Sequence, residues 1–189
     1  MRSEAEAILG LLEKKNANAL QMATGEEDCE KLWTLRRGFS NSLRATGLTK
    51  LNQDVVVPRS RLVDLMEFAG TLQAKHGFPI ACFGHAGDGN IHVNIMADRY
   101  NREVAVREKV DRALDDLFKQ VLAWGGVITG EHGIGLAKKR WWPEATSTVV
   151  RELHHQLKHI VDPHGILNPG KFVDPESARS RRRSEFGVD

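Results

Sequence analysis

The chain has 189 residues, 41% of them apolar and 28% charged, with a formal net charge of +2. That is the composition of a globular protein with a core, one domain or one domain with appendages. The charge balance gives no pull toward nucleic acid, and no apolar run approaches the ~20 residues that span a bilayer. The N-terminus, "MRSEAEAILG", is too acidic for a secretory signal. Cys29 and Cys82 form neither a CxxC nor a disulfide framework. They suit a reducing compartment, the cytoplasm or a mitochondrial matrix, with peripheral membrane association left open.

The elements alternate. Ile8, Leu11 and Leu12 fall on one helical face, and "ALQMAT" (19–24) reads as a short strand. Cys29, Leu32, Leu35, Phe39 and Leu43 predict a second helix from Glu27. "LNQDVVVP" (51–58) is a strand ended by proline. Leu62, Leu65, Met66, Ala69 and Leu72 line a third helix, which Gly77 caps. Two strands follow, 79–84 and 91–97, then a long helix over 102–124 with Val110, Leu114, Leu117 and Val121 inward. "GVIT" (126–129) predicts another short strand. A last helix runs from about Glu144 to Asp162, carrying Leu153, Leu157 and Val161, and Pro163 ends it. The central strand pair is a hairpin and therefore antiparallel, so the class is α+β, an antiparallel sheet with flanking helices. From about Asp174 the tail lacks apolar periodicity and reads as disordered.

The chemistry concentrates in "FGHAGDGNIHVNIM" (83–96). Its Gly-Asp-Gly-Asn turn carries His85 on one side and His92 on the other. Alternation puts His92 and Asn94 on one face and Val93 and Ile95 on the other. Imidazole is a common metal ligand, but two histidines alone do not decide between a metal site and a hydrogen-bonded hairpin. "TGEHGIG" (129–135) offers Glu131 as a third ligand and His132 beside it, between Gly130 and Gly133. Alone it reads as a glycine-rich loop. Both segments end strands and could converge on one sheet edge. Arg36 and Ser40 share a helix face, and Lys50 begins a strand; they could hold a carboxylate or be ordinary surface groups. His154, His155, His159 and His164 read as a solvated face, and Trp141 and Trp142 as packing residues.

"HAGDGNIH", "GEHGIG" and "DPHGILNPGK" (162–171), in this order, resemble the C-terminal half of the FAD-linked 2-hydroxyacid dehydrogenases and oxidases. "KLNQDVVVPRSRL" (50–62) resembles the family's strand-proline-helix segment. The resemblance covers most of the chain, to about residue 172. It implies a ferredoxin-like cap domain over 1–172, with 173–189 a tail. It implies a divalent metal, zinc first and manganese or iron next, on His85, His92 and Glu131. His132 would be the base, Arg36, Ser40, Lys50 and Asn94 would approach the substrate, and Asn168 would lie near the flavin. The implied reaction oxidises a D-2-hydroxy acid of the lactate, glycolate or 2-hydroxyglutarate type by hydride transfer to FAD. The family's N-terminal FAD-binding domain has no counterpart here. The expectation is a chain that binds metal, needs a flavin-binding domain or subunit as partner, and does not turn over alone; a homo-oligomer stays open. A stand-alone metal- or carboxylate-binding module of the same fold is the alternative, and a metallohydrolase a third reading.

Overall fold

β1 (Thr49–Val56) and β2 (Ile80–His85) both pair antiparallel with β3 (Asn90–Ala97), giving a three-stranded sheet of order β1-β3-β2. β1 and β2 therefore run the same way, joined through α3 (Leu62–His76). With α4 (Val104–Ala123) after β3, the order β1-α3-β2-β3-α4 is a split βαβ arrangement, as expected for a ferredoxin-like α+β domain. The computed structural model describes residues 2–17, 19–171 and 173, so the predicted tail lies outside the described residues.

The sheet has two chemically distinct faces. Val55, Ile91, Val93, Ile95 and Ala97 project to one side and are buried against α3 and α4. α3 contributes Leu65, Ala69 and Leu72, spaced for one helical face, and ends where Gly77 takes φ +64°. α4 contributes Val110, Ala113, Leu114, Leu117, Phe118 and Val121. Burying this apolar set supplies the main stabilisation, roughly 1.5–3 kcal/mol for each large side chain. His76 closes the helix pair, its Nε2 2.7 Å from Asp116 Oδ2. Trp141 packs edge-on against Phe118, ring centroids 4.7 Å apart, and donates from Nε1 to Asp115 Oδ1 at 2.7 Å.

The other face carries Lys50, Asn52 and Asp54 of β1, opposite Met96, Asn94 and His92 of β3. It is polar as the alternation predicts, yet much of it is buried.

Three expected elements differ. Residues 19–24 form no strand; among the described residues they have no ladder partner, and Ala23 instead accepts from Cys29 Sγ at 3.6 Å. "GVIT" shrinks to a single antiparallel bridge between Val127 and Val56, on the edge where a fourth strand would pair. Beyond the bridge the Gly130 amide donates to the Asp54 carboxylate instead of to a ladder partner, and the Thr129 hydroxyl joins it there. The last helix is two: α5 (Trp142–Ala145) and α6 (Thr148–Val161). Ser147 caps α6, its Oγ accepting from Val150 N at 3.3 Å. Leu153, Leu157 and Val161 are exposed.

The chain divides into two compact units, Met1–Leu48 and Thr49–Asp189. The first holds α1 (Arg2–Lys14) and α2 (Glu26–Arg44); the sheet belongs to the second. No helix among the described residues is long and apolar enough to cross a membrane.

Candidate metal and substrate site

The hairpin sets the geometry. Phe83 pairs with His92 and His85 with Asn90. His85 and His92 are thus diagonal neighbours on one face, a spacing within reach of ring side chains. Their centroids lie 6.0 Å apart. His92 is buried, with Phe83 5.8 Å away on one side and the His132 ring stacked 5.4 Å away on another. Its Nε2 stands 3.1 Å from Glu131 Oε1. Among the described residues, ligand atoms of His85, His92 and Glu131 lie within 4.8 Å of one another.

This donor set suits a divalent cation. Two nitrogens and one carboxylate oxygen, with room for a further ligand, are what a catalytic zinc site uses, and manganese or iron(II) accept the same set. A tetrahedral ion with bonds of about 2.0–2.1 Å holds its donors about 3.4 Å apart. His92 and Glu131 already meet that separation. His85 is exposed, and its candidate ligand atom lies within 4.8 Å of the other two. Burial holds the His92 imidazole below its ordinary pKa, outweighing the pull of the Glu131 and Asp54 carboxylates. A neutral ring is the form that ligates. His92 Nδ1 is buried without a hydrogen-bond partner among the described residues, so neighbouring rings hold this imidazole in place.

The loop bearing Glu131 and His132 is fastened from beneath. Asp54, fully buried in β1, accepts at Oδ2 from the backbone N–H of Gly130 (2.8 Å), Glu131 (2.8 Å) and His132 (2.9 Å). Thr129 Oγ1 adds a fourth donor at 3.2 Å. Oδ1 accepts from Asn90 Nδ2 at 2.6 Å. Burial alone would raise the Asp54 pKa. The His132 amide, the Asn90 side chain and the Glu131 and Gly130 amides outweigh it and hold the carboxyl well below the usual range. Lys138, also buried, donates to the carbonyls of Asp54 (2.8 Å) and Ile128 (2.6 Å), tying strand to loop. Burial pushes its ammonium down to about 8, against the attraction of Asp54.

Gly130 is required by this approach: a Cβ there would sit 2.1 Å from Asn90 Nδ2. Gly133 has open space around it and serves conformation instead, at φ +74°.

Asn94 is fully buried on the His92 face and donates from Nδ2 to the carbonyls of Ala81 (2.9 Å) and His92 (3.0 Å). Its Oδ1, and that of Asn52 opposite, are buried without a partner among the described residues. Lys50 shares this face, its Nζ 5.6 Å from the Phe83 ring centroid. Arg36 and Ser40 lie on α2, in the first unit. Asn168 is exposed in the loop after α6, at φ +47°. That loop is anchored by Asp162, which accepts from Ile166 N (3.0 Å) and Leu167 N (2.9 Å), and by Lys139 on the Gly170 carbonyl (3.1 Å).

Asp54, Lys138, Asn90 and Thr129 were not foreseen among the site residues. A signal exists for the first: an aspartate entering a β-branched run is disfavoured in a strand and calls for a specific partner.

The comparisons agree on one family. Residues 1–172 match the family described as FAD linked oxidases, C-terminal domain. The chain is 33% identical over 178 residues to a glycolate oxidase subunit GlcD of Bacillus subtilis (strain 168), covering 94% of this chain and 37% of that protein. It is 32% identical over 140 residues to a D-lactate dehydrogenase of Anaerostipes hadrus, 74% of this chain and 29% of that one. A mitochondrial D-2-hydroxyglutarate dehydrogenase of Rattus norvegicus is 32% identical over 178 residues, 90% and 31% of the two. The chain spans about a third of the length of the curated relatives it matches.

A groove along α2 is lined by Glu26, Glu27, Glu30, Lys31 and Thr34. A recess of 320 Å³ beside Val57, Gly126 and Asp88 offers Arg59 as its one cation.

Proposed function

The chain belongs to the family of FAD-linked oxidase C-terminal domains, and we propose that it forms the metal- and substrate-holding part of a dehydrogenase that oxidises a D-2-hydroxy acid to the 2-oxo acid. The observation that carries this reading is the convergence of His85, His92 and Glu131, with His132 stacked on His92. The relatives' names, a glycolate oxidase subunit and dehydrogenases of D-lactate and D-2-hydroxyglutarate, support the substrate class. FAD would be bound by protein outside this chain, as the family description and the lengths of the relatives suggest.

Oxidation of a 2-hydroxy acid removes the hydroxyl proton and the Cα hydrogen with its electron pair. FAD, when bound, would supply the acceptor for the second, and this chain's part concerns the first. A hydroxyl is too weak an acid to lose its proton at neutral pH. A divalent cation held by His85, His92 and Glu131 would supply Lewis acidity that lowers that barrier. His132 takes the proton at Nε2. Its position next to Glu131 on the same short loop keeps base and ligand in fixed relation, and general-base help of this kind contributes about 10²- to 10⁴-fold. Lys50 and Asn94, on the His92 face of the sheet, contact the substrate. Arg36 and Ser40 are further substrate contacts; their support is the family resemblance and their shared helix face. For Asn168, near the flavin, the support is the "NPGK" motif alone.

The test is reconstitution with the flavin-bearing part of the protein. Addition of D-lactate, glycolate or D-2-hydroxyglutarate should bleach the flavin absorbance and release the matching 2-oxo acid. A metal-loaded, flavin-loaded protein that none of a D-2-hydroxy acid panel bleaches would refute the reading and favour a binding module without redox chemistry.

A further inference from the structure

We infer that Asp54 is the positioning residue for the Glu131–His132 loop: its carboxylate, gathering three consecutive backbone amides, sets where the metal-ligating carboxylate and the base stand. This rests on the functional reading above for the roles of Glu131 and His132, and on geometry alone for the role of Asp54.

Three features of the structure carry it. First, one oxygen of a fully buried side chain receives the amides of Gly130, Glu131 and His132 at 2.8, 2.8 and 2.9 Å. Consecutive amides converging on one anion form a concavity of the kind proteins use for bound anions, here filled by the protein's own carboxylate. Second, Asp54 is opposite His92 in the β1–β3 register. One strand position therefore references the loop to the strand that supplies a histidine ligand. Third, the anchor is itself braced. Asn90 holds Oδ1 at 2.6 Å and Lys138 holds the Asp54 carbonyl at 2.8 Å. No side-chain atom of Asp54 needs to touch cation or substrate for this. It acts through the backbone of the two residues that do.

Asp54→Asn is close in shape but loses the charge, so the three amides keep at most a neutral carbonyl as their acceptor, and the charge-assisted bonds are weakened. Zinc titration of the chain should show affinity reduced about 10- to 100-fold, as for other groups that orient ligands without binding metal. The double variant Asp54→Asn, Glu131→Gln should bind zinc no more weakly than Glu131→Gln alone, because both changes remove the same arm. Unchanged zinc affinity in Asp54→Asn, or additive losses in the double variant, would overturn the inference; a general loss of structure would give additive losses.

A second measurement needs neither metal nor a folded variant. In the wild-type chain, hydrogen exchange at the amides of Gly130, Glu131 and His132 should be slow, like that of core strand amides. Exchange at unstructured-chain rates there would refute the role of Asp54. If the wild-type chain takes up no zinc while these amides stay protected, the metal reading fails and the positioning role stands.

Discussion

His92 Nε2 and Glu131 Oε1 stand 3.1 Å apart, although 39 positions (131 − 92) separate them in the chain. The contact joins the hairpin to the loop that crosses above it, and a cation between them would be shared by two independent pieces of backbone. Glu131→Gln keeps the size and loses the charge. It should weaken zinc binding by more than about 100-fold, beyond the effect of residues that only orient ligands. Isothermal titration of the two proteins checks this.

His132 should separate from Glu131 in its effects. His132→Gln removes the base and leaves the three ligands, so zinc content should be unchanged. In the flavin-loaded protein kcat should fall about 10²- to 10⁴-fold. Loss of zinc in His132→Gln would instead make His132 a ligand.

Gly130→Ala places a methyl 2.1 Å from Asn90 Nδ2 and 2.9 Å from Asp54 Oδ1. Asn90 is buried and held by Asp54 and the Val55 carbonyl, so it has little room to yield. Denaturant unfolding should show a loss of about 1–3 kcal/mol, the usual cost of overpacking. Gly133→Ala meets no neighbour and should act only through its positive φ.

Much of this was legible in the sequence, for identifiable reasons. α3 and α4 announce themselves because Leu65, Ala69 and Leu72, and Val110, Leu114, Leu117 and Val121, keep a 3.6-residue period and are buried on one face. The histidines are legible because a strand's alternation assigns faces, and the hairpin register honours it. The 126–129 strand is misread because its apolar letters look like a strand, while the next residue, Gly130, commits its amide to Asp54 rather than to a ladder. A helix boundary at Thr146–Ser147 is hidden because apolar spacing continues on both sides and only a serine cap marks the break. Asp54 and Lys138 are hidden for a deeper reason. A charged residue's burial depends on partners far along the chain, 76 to 78 positions for the Asp54 amides and 84 for the Lys138–Asp54 contact.

Lys138 should leave a signature in the pH dependence of stability. Its folded pKa is near 8, against an ordinary value of 10.5. Between those values the unfolded chain binds more protons than the folded one, so stability rises with pH through this group. Below about pH 8 the folded protein carries the full cost of a buried ammonium. A neutral amine keeps two N–H donors, enough for the Asp54 and Ile128 carbonyls. The unfolding free energy of wild type minus that of Lys138→Met should therefore be larger at pH 10 than at pH 7.5. Paired denaturant titrations measure it, and a difference that shrinks over that interval would contradict the assignment.

The most direct test of the central claim is elemental analysis of the purified wild-type chain beside a His85→Ala, His92→Ala double variant, both equilibrated with limiting zinc and then desalted. The account predicts about one zinc per wild-type chain and essentially none in the variant, since Glu131 alone cannot retain the ion. Equal metal content in the two would contradict it.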